Sequence, residues 1–415
     1  MEHFSMLKQN LSMRVFSFLS IVVLIILITS CSLFETNDNA MEPTALEDIN
    51  NIVTIKVKWS NQHGVGSNNT LVKLSPVLFD KSIVVIDREA NITAYNQENG
   101  SELWHQNYAT KVSSGLAKVD DKLFFSDDAG ILYALSVNGG QLLWKQKLSS
   151  VSLSLIAGDS DMVVSRTIDG NIFGLNSDTG EERWVSNHNV PILTYRGNSS
   201  PIFHENKIYV ALDNAQVIAL NIKNGQTIWS ATVAYASGRS DIERMVDIDG
   251  DPVIVGNNLY AISLNGNIAA IDVNNGKLQW TRKVSSFTGI AHDEKNLYIT
   301  DENSQVLAIR QDNGAILWKQ DKLLYRRLTQ PEVYEGYIFV ADFKGIIHIM
   351  SKQSGALIGR KDMLLSSGNH DIDHEMMVVN PQVFNYKGYL VPPIISEQNI
   401  FWYGASGQLD RFKIL

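Results

Sequence analysis

IAAIDVNNGKLQW, residues 268–280, reads as a short apolar strand, a polar turn ending in glycine, and a second strand ending in tryptophan. Asn-Gly turns supply the positive φ that tight hairpins demand. The flanks mix β-branched, leucine and small residues, which suits a pleated sheet. The same phrase returns at ITAYNQENGSELW (92–104), LYALSVNGGQLLW (132–144), IFGLNSDTGEERW (172–184), VIALNIKNGQTIW (217–229) and VLAIRQDNGAILW (306–318). Its glycines stand at 100, 140, 180, 225, 276 and 314. A period of about 40–50 residues is the length of one four-stranded propeller blade.

A seventh copy, IHIMSKQSGALIG (347–359), keeps Gly355 but places Gly359 where the tryptophan belongs. An eighth begins at Gly407-Gln408-Leu409 and meets the end of the chain. Further strands such as Lys122–Ser126, Lys207–Ala211 and Asn296–Thr300 lie between the phrases, giving about four strands per unit. No segment sustains a 3.6-residue period, so an α/β reading fails. A single blade cannot bury both of its faces, so the units must close into a ring. Small-residue turns number eight, which predicts an all-β, eight-bladed propeller of four-stranded antiparallel blades, with seven as the alternative. The last unit lacks its tryptophan-bearing strand, and a spare one, Ile52–Trp59, stands at the front. Pairing it into the final blade would close the ring and remove two open sheet edges. The recurring Trp59, Trp104, Trp144, Trp184, Trp229, Trp280 and Trp318 are expected to pack between blades, each N–H finding a backbone carbonyl.

The 415-residue chain carries 35 Lys+Arg against 44 Asp+Glu, a net charge of -9. That balance argues against wrapping nucleic acid, which needs a basic face, and gives no attraction to anionic headgroups. One cysteine excludes an internal disulfide and any multi-thiolate metal site. Lys8 and Arg14 precede an apolar run from Val15 to Ile28, too short for a bilayer core and right for an export signal. The run ends in Ile28-Thr-Ser-Cys31, which resembles the bacterial lipoprotein box. That resemblance implies a signal over 1–30 and a lipidated Cys31. Ser32 in second place implies delivery to the outer membrane, with the protein on its periplasmic face. The polar, acidic residues 31–50 read as a flexible tether, leaving 51–415 for the propeller.

The turn-Gly-x-x-x-Trp repeat is similar to the tryptophan-docking motif of the quinoprotein (PQQ-like) propellers. Together with the lipoprotein box and eight units, it makes the chain resemble the outer-membrane assembly lipoproteins, subunits of the β-barrel assembly (BAM) complex. The resemblance implies a non-catalytic scaffold that binds the barrel-forming subunit BamA. Other BAM subunits, and nascent outer-membrane proteins, are further partners it suggests. In that family two loops make the BamA contact, here Pro191–Pro201 and Ser240–Asp249. The matching positions are Leu193, Tyr195, Arg196, Asp247 and Asp249, with Tyr195 standing where an aliphatic residue is usual. An exposed aromatic and an arginine beside an acidic pair make a sensible interface centre on physical grounds too.

Quinone-dependent dehydrogenases share the blade motif and supply the alternative, an enzyme. Many use an adjacent-cysteine disulfide that one cysteine cannot provide. No catalytic constellation, cofactor site or phosphate loop is legible. Asp247-Ile-Asp-Gly-Asp251 opens like a calcium loop, but its twelfth position is Asn258 instead of glutamate. His370 and His374, four apart in an acidic stretch within the irregular 360–400 region, fix no metal geometry on a loop.

Overall fold

The computed structural model describes residues 41–194, 199–363 and 388–415. Cys31, the apolar run before it, Tyr195, Arg196, His370 and His374 lie outside the described residues. Among the described residues there is no helix long and apolar enough to cross a membrane. Pro43–Leu415 forms one compact unit.

Its strands form eight separate four-stranded sheets, each antiparallel throughout. Blade 1 shows the plan: strand a is Val77–Phe79, b is Ser82–Ile86, c is Asn91–Asn96 and d is Glu102–Asn107. Blades 2 to 7 follow at 112–147, 157–187, 202–232, 253–282, 291–320 and 332–362. Blade 8 takes its strands a to c from 394–414 and its strand d from Ile55–Gln62. The ring therefore closes with the N-terminal strand, paired antiparallel from Ile55↔Ile414 to Gln62↔Gln408. The pairing begins later than the expected Ile52, because the N–H groups of Ile52 and Val53 both donate to the Ile358 carbonyl on blade 7. The chain leaves one blade before it joins the next.

Strands b and c are buried on both faces, as at Ile83–Ile86, while strands d are largely exposed or half-buried apart from their tryptophans, buried in blades 2 to 4. Sheets stacked face to face bury their inner strands completely and leave the outer edge wet. The apolar clusters accordingly lie between neighbouring blades: Tyr209, Ala219 and Trp229 of blade 4 meet Leu259, Ala261 and Ile271 of blade 5.

The tryptophans lock these interfaces. In blades 1 to 6 each sits opposite a small residue of its own strand c, Ala94, Ala134, Gly174, Ala219, Ala270 or Ala308. A β-bulge lies beside each of these pairs, and the indole ring reaches the next blade. There it covers a turn glycine with positive φ: a Cβ on Gly276 would lie 2.8 Å from the Trp229 ring, and one on Gly180 2.5 Å from Trp144. Only glycine gives both the left-handed backbone and the room. The indole N–H donates to the carbonyl three residues before that glycine, Trp229 to Val273 at 3.0 Å and Trp280 to Gln311 at 2.8 Å.

Blade 7 inverts the sizes. Gly359 stands opposite Ile349, and a Cβ on it would lie 2.4 Å from the Val53 carbonyl oxygen. The N-terminal segment occupies the space that a tryptophan fills elsewhere. Leu46 packs into the cluster between blades 6 and 7, and Thr44 donates its N–H to the Leu324 carbonyl at 3.0 Å.

Candidate functional site

Antiparallel blades place every b–c turn and every d–a connection at one end of the ring. This loop face carries both segments singled out by the sequence. The connections 188–201 and 233–252 leave blades 3 and 4, so they are neighbours on the rim.

Their placement follows from local chemistry. In the second loop Glu243 accepts the N–H groups of Arg239 and Ser240, and the Ser240 hydroxyl accepts the Glu243 N–H. This reciprocal arrangement orders a single turn in the way a capping box orders a helix start. It also holds the Glu243 carboxyl below its ordinary range, through those backbone hydrogen bonds. The Asn265 side chain then ties the turn down by donating to the carbonyls of Ile242 and Met245. Met245, Val246 and Ile248 are buried beneath, while Tyr235 and Ile242 are exposed. In the first loop Ile192 and Leu193 are exposed, and Ser199 is buried with its hydroxyl on the Ala211 carbonyl. The Ser200 N–H donates to Asp251 at 2.6 Å, joining the two loops directly.

The acidic pair is split by burial. Asp247 is 1% exposed, and its backbone carbonyl accepts the Leu264 N–H, so it supports the loop from within. Asp249 is partly exposed. Burial, with the neighbouring Asp213 adding to it, pushes its carboxyl up to about 6, against the opposing pull of Lys73 and Arg166. Lys73 precedes blade 1, on the far side of an eight-bladed ring from blade 5, yet its Nζ donates to the Asp249 carbonyl at 3.4 Å. Side chains therefore cross the axial mouth at this face. Beside them Arg166 and Asp213 form a buried ion pair, with Arg166 also donating to the Ala211 carbonyl at 3.0 Å.

An ionised Asp249 is thus a cost to the fold. Asp249→Asn is expected to raise stability by about 1–2 kcal/mol at pH 8, after discounting the shift for partial exposure. The sign follows from the raised pKa: the penalty is present above pH 6, shrinks as the group protonates, and is gone below its unfolded value near 4. Urea titrations of both proteins at pH 8 and pH 4.5 check this. A destabilised variant, or a gap that widens at low pH, would count against it.

Leu193, singled out in the sequence, is exposed on the first loop; Ile192, Tyr235 and Ile242 are exposed as well, though nothing in the sequence marked them, because exposure depends on how each loop turns. Nor did the sequence mark Lys73, 176 positions from the residue it meets. No group of three or more His, Cys, Asp or Glu arranged for a metal occurs among the described residues. A polar cleft of about 340 Å³ between blades 8 and 1, lined by Asp80, Gln97, Glu98, Glu397 and Arg411, lies at the opposite end of the ring.

Fold and face together define a closed, tryptophan-docked propeller with an apolar-tipped pair of loops. A family model described as outer membrane protein assembly factor BamB matches residues 88–320, and the chain belongs to that family. Assembly factors BamB from three organisms illustrate the relationship. That of Shewanella oneidensis is 28% identical, with 92% of this chain and 94% of the relative aligned. For Escherichia coli the values are 29%, 81% and 88%, and for Taylorella asinigenitalis 31%, 83% and 89%. Among solved structures, BamB from Moraxella catarrhalis superposes with a TM-score of 0.74 at 23% identity, covering 87% of this chain and all of that one. Quinohemoprotein alcohol dehydrogenase from Comamonas testosteroni does so at 0.62 and 12% identity, covering 89% and 78%. Both likenesses concern the fold.

Proposed function

We propose that this chain is a non-catalytic scaffold of the outer-membrane β-barrel assembly complex, holding BamA at its loop face and so assisting assembly and insertion of barrel proteins. Family membership supports the assembly role, since the curated relatives cited above are assembly factors. The observation that carries the binding site is the pairing of two loops bridged by Ser200 and Asp251, with Ile192, Leu193, Tyr235 and Ile242 exposed on them and the partly buried Asp249 on the second. Exposed apolar side chains on neighbouring loops, with a partly desolvated charge on one of them, are what a protein interface draws on. Tyr195 and Arg196, outside the described residues, are assigned to the same contact by family match alone. The protein is anchored in the outer membrane on its periplasmic face through acyl chains on Cys31, which give stable attachment where one chain gives little. Residues 1–30 are the export signal.

The dehydrogenase reading shares the fold alone. Capture of BamA from detergent-solubilised outer membranes tests the scaffold. Wild type should retain BamA, and Leu193→Asp should lower recovery by about tenfold or more, as loss of an interface anchor does. Absence of BamA with wild type would end the scaffold reading. Undiminished recovery with Leu193→Asp would end only the assignment of the site.

A further inference from the structure

The segment 44–53 does more than lead into the closing strand. Thr44 is held at both ends of its peptide: its N–H donates to Leu324, and its carbonyl accepts from Arg326 at 3.0 Å. Arg326 is itself buried and fixed by Asp342 at 2.8 Å, whose other oxygen caps the b–c turn of blade 7. Leu46 enters the cluster between blades 6 and 7. Glu47 pairs with Lys322 at 2.6 Å, and its carbonyl accepts from Arg360 at 2.7 Å. Asn51 accepts the Arg360 N–H at 2.8 Å, and Val53 crosses over Gly359. From Val53 back to Thr44 the chain thus climbs the outer edge of blade 7 and ends beside Leu324 and Arg326. Those residues belong to the d–a connection between blades 6 and 7, on the loop face.

We propose that Thr44–Val53 is a clasp fixing the point where the lipid tether leaves the ring, and that it thereby turns the loop face toward the bilayer. The inference rests on the reading of Cys31 as the acylated residue. Twelve peptide steps separate Cys31 from Pro43, a reach of at most about 40 Å. Without the clasp the tether would run free to Ile55, and its reach would be about 80 Å. The clasp halves the leash and moves its origin from the wall of the ring to the rim that carries both loops.

Cys31 is the sole cysteine, so after acylation a cysteine placed elsewhere is the only free thiol. Ala129→Cys labels the loop face, and Asn138→Cys labels the opposite end of the same blade. Full-length, acylated protein would carry a donor dye at either site and be bound to phosphatidylcholine vesicles with a headgroup acceptor. The Ala129 label should transfer about twofold more energy than the Asn138 label, given a leash near 40 Å. Leu46→Asp should shrink that ratio toward one. Thr44→Pro, which removes the donor to Leu324 but leaves Leu46 in place, should shrink it less, and wild-type-like urea unfolding of both variants excludes general unfolding as the cause. Equal transfer from both labels in the wild type, or a ratio unmoved by both variants, overturns the clasp while the lipid reading stands. Failure of the acylated protein to float with the vesicles overturns both.

Discussion

Trp229→Ala is expected to cost about 3–5 kcal/mol of folding stability, the range for removing a large buried aromatic side chain. Three losses combine. The ring is buried between blades 4 and 5, where it packs with Tyr209 and covers Gly276. Its N–H holds the Val273 carbonyl at 3.0 Å, which would then be left with one bond fewer in a water-poor site. The void cannot collapse, because Ala219 opposite is already small and the Gly276 turn is fixed by its left-handed backbone. Ile228→Ala, one position earlier on the exposed side of the same strand, should change stability by less than about 0.5 kcal/mol. Chemical unfolding of both variants checks the contrast. A loss below about 1 kcal/mol for Trp229→Ala would mean that docking is not what joins the blades.

Gly359→Trp should also destabilise, by about 3 kcal/mol or more, although it restores the residue that the other blades carry. The Cβ alone would sit 2.4 Å from the Val53 carbonyl and 3.0 Å from the Ile349 side chain. Ile349 takes the place where blades 1 to 6 have alanine or glycine, so the indole has no shelf to lie on. It must displace residues 51–53, and with them the two hydrogen bonds to Ile358. Limited proteolysis should then cut near Asn51 sooner than in the wild type. Unchanged stability with an intact N-terminal segment would show that Val53 does not fill the tryptophan's place.

The packing behind these two expectations explains why so much of the fold was legible. Gly-x-x-x-Trp is a complete local statement of blade packing: the glycine specifies the turn, the tryptophan the interface, and the spacing brings them together across neighbouring blades. The count of eight and the closing N-terminal strand follow from it. The start of that strand was misplaced, because nothing in Ile52-Val-Thr shows that its first hydrogen bonds go to blade 7. Gly359 reads as a defect in sequence. In three dimensions it is a compensated exchange with Ile349 and Val53.

The proposed binding face was less legible, for a physical reason. The sequences of 188–201 and 233–252 carry no strand period, so none tells which side chain turns outward. Asp247 and Asp249 stand two apart, yet one is buried and the other partly exposed. Lys73 and Asp249 meet only because an eight-membered ring puts blades 1 and 5 opposite each other.

The central claim is that the loop face exists to hold BamA, and Asp249 tests it most directly. A residue kept for the fold should lose stability when changed, whereas one kept for a partner should lose affinity and release strain. Calorimetric titration of purified BamA in detergent with wild type and Asp249→Asn, at pH 8, measures the affinity. The expected result is binding weakened by about tenfold in a variant that unfolds at higher urea than wild type. Equal affinity for the two proteins would contradict the account.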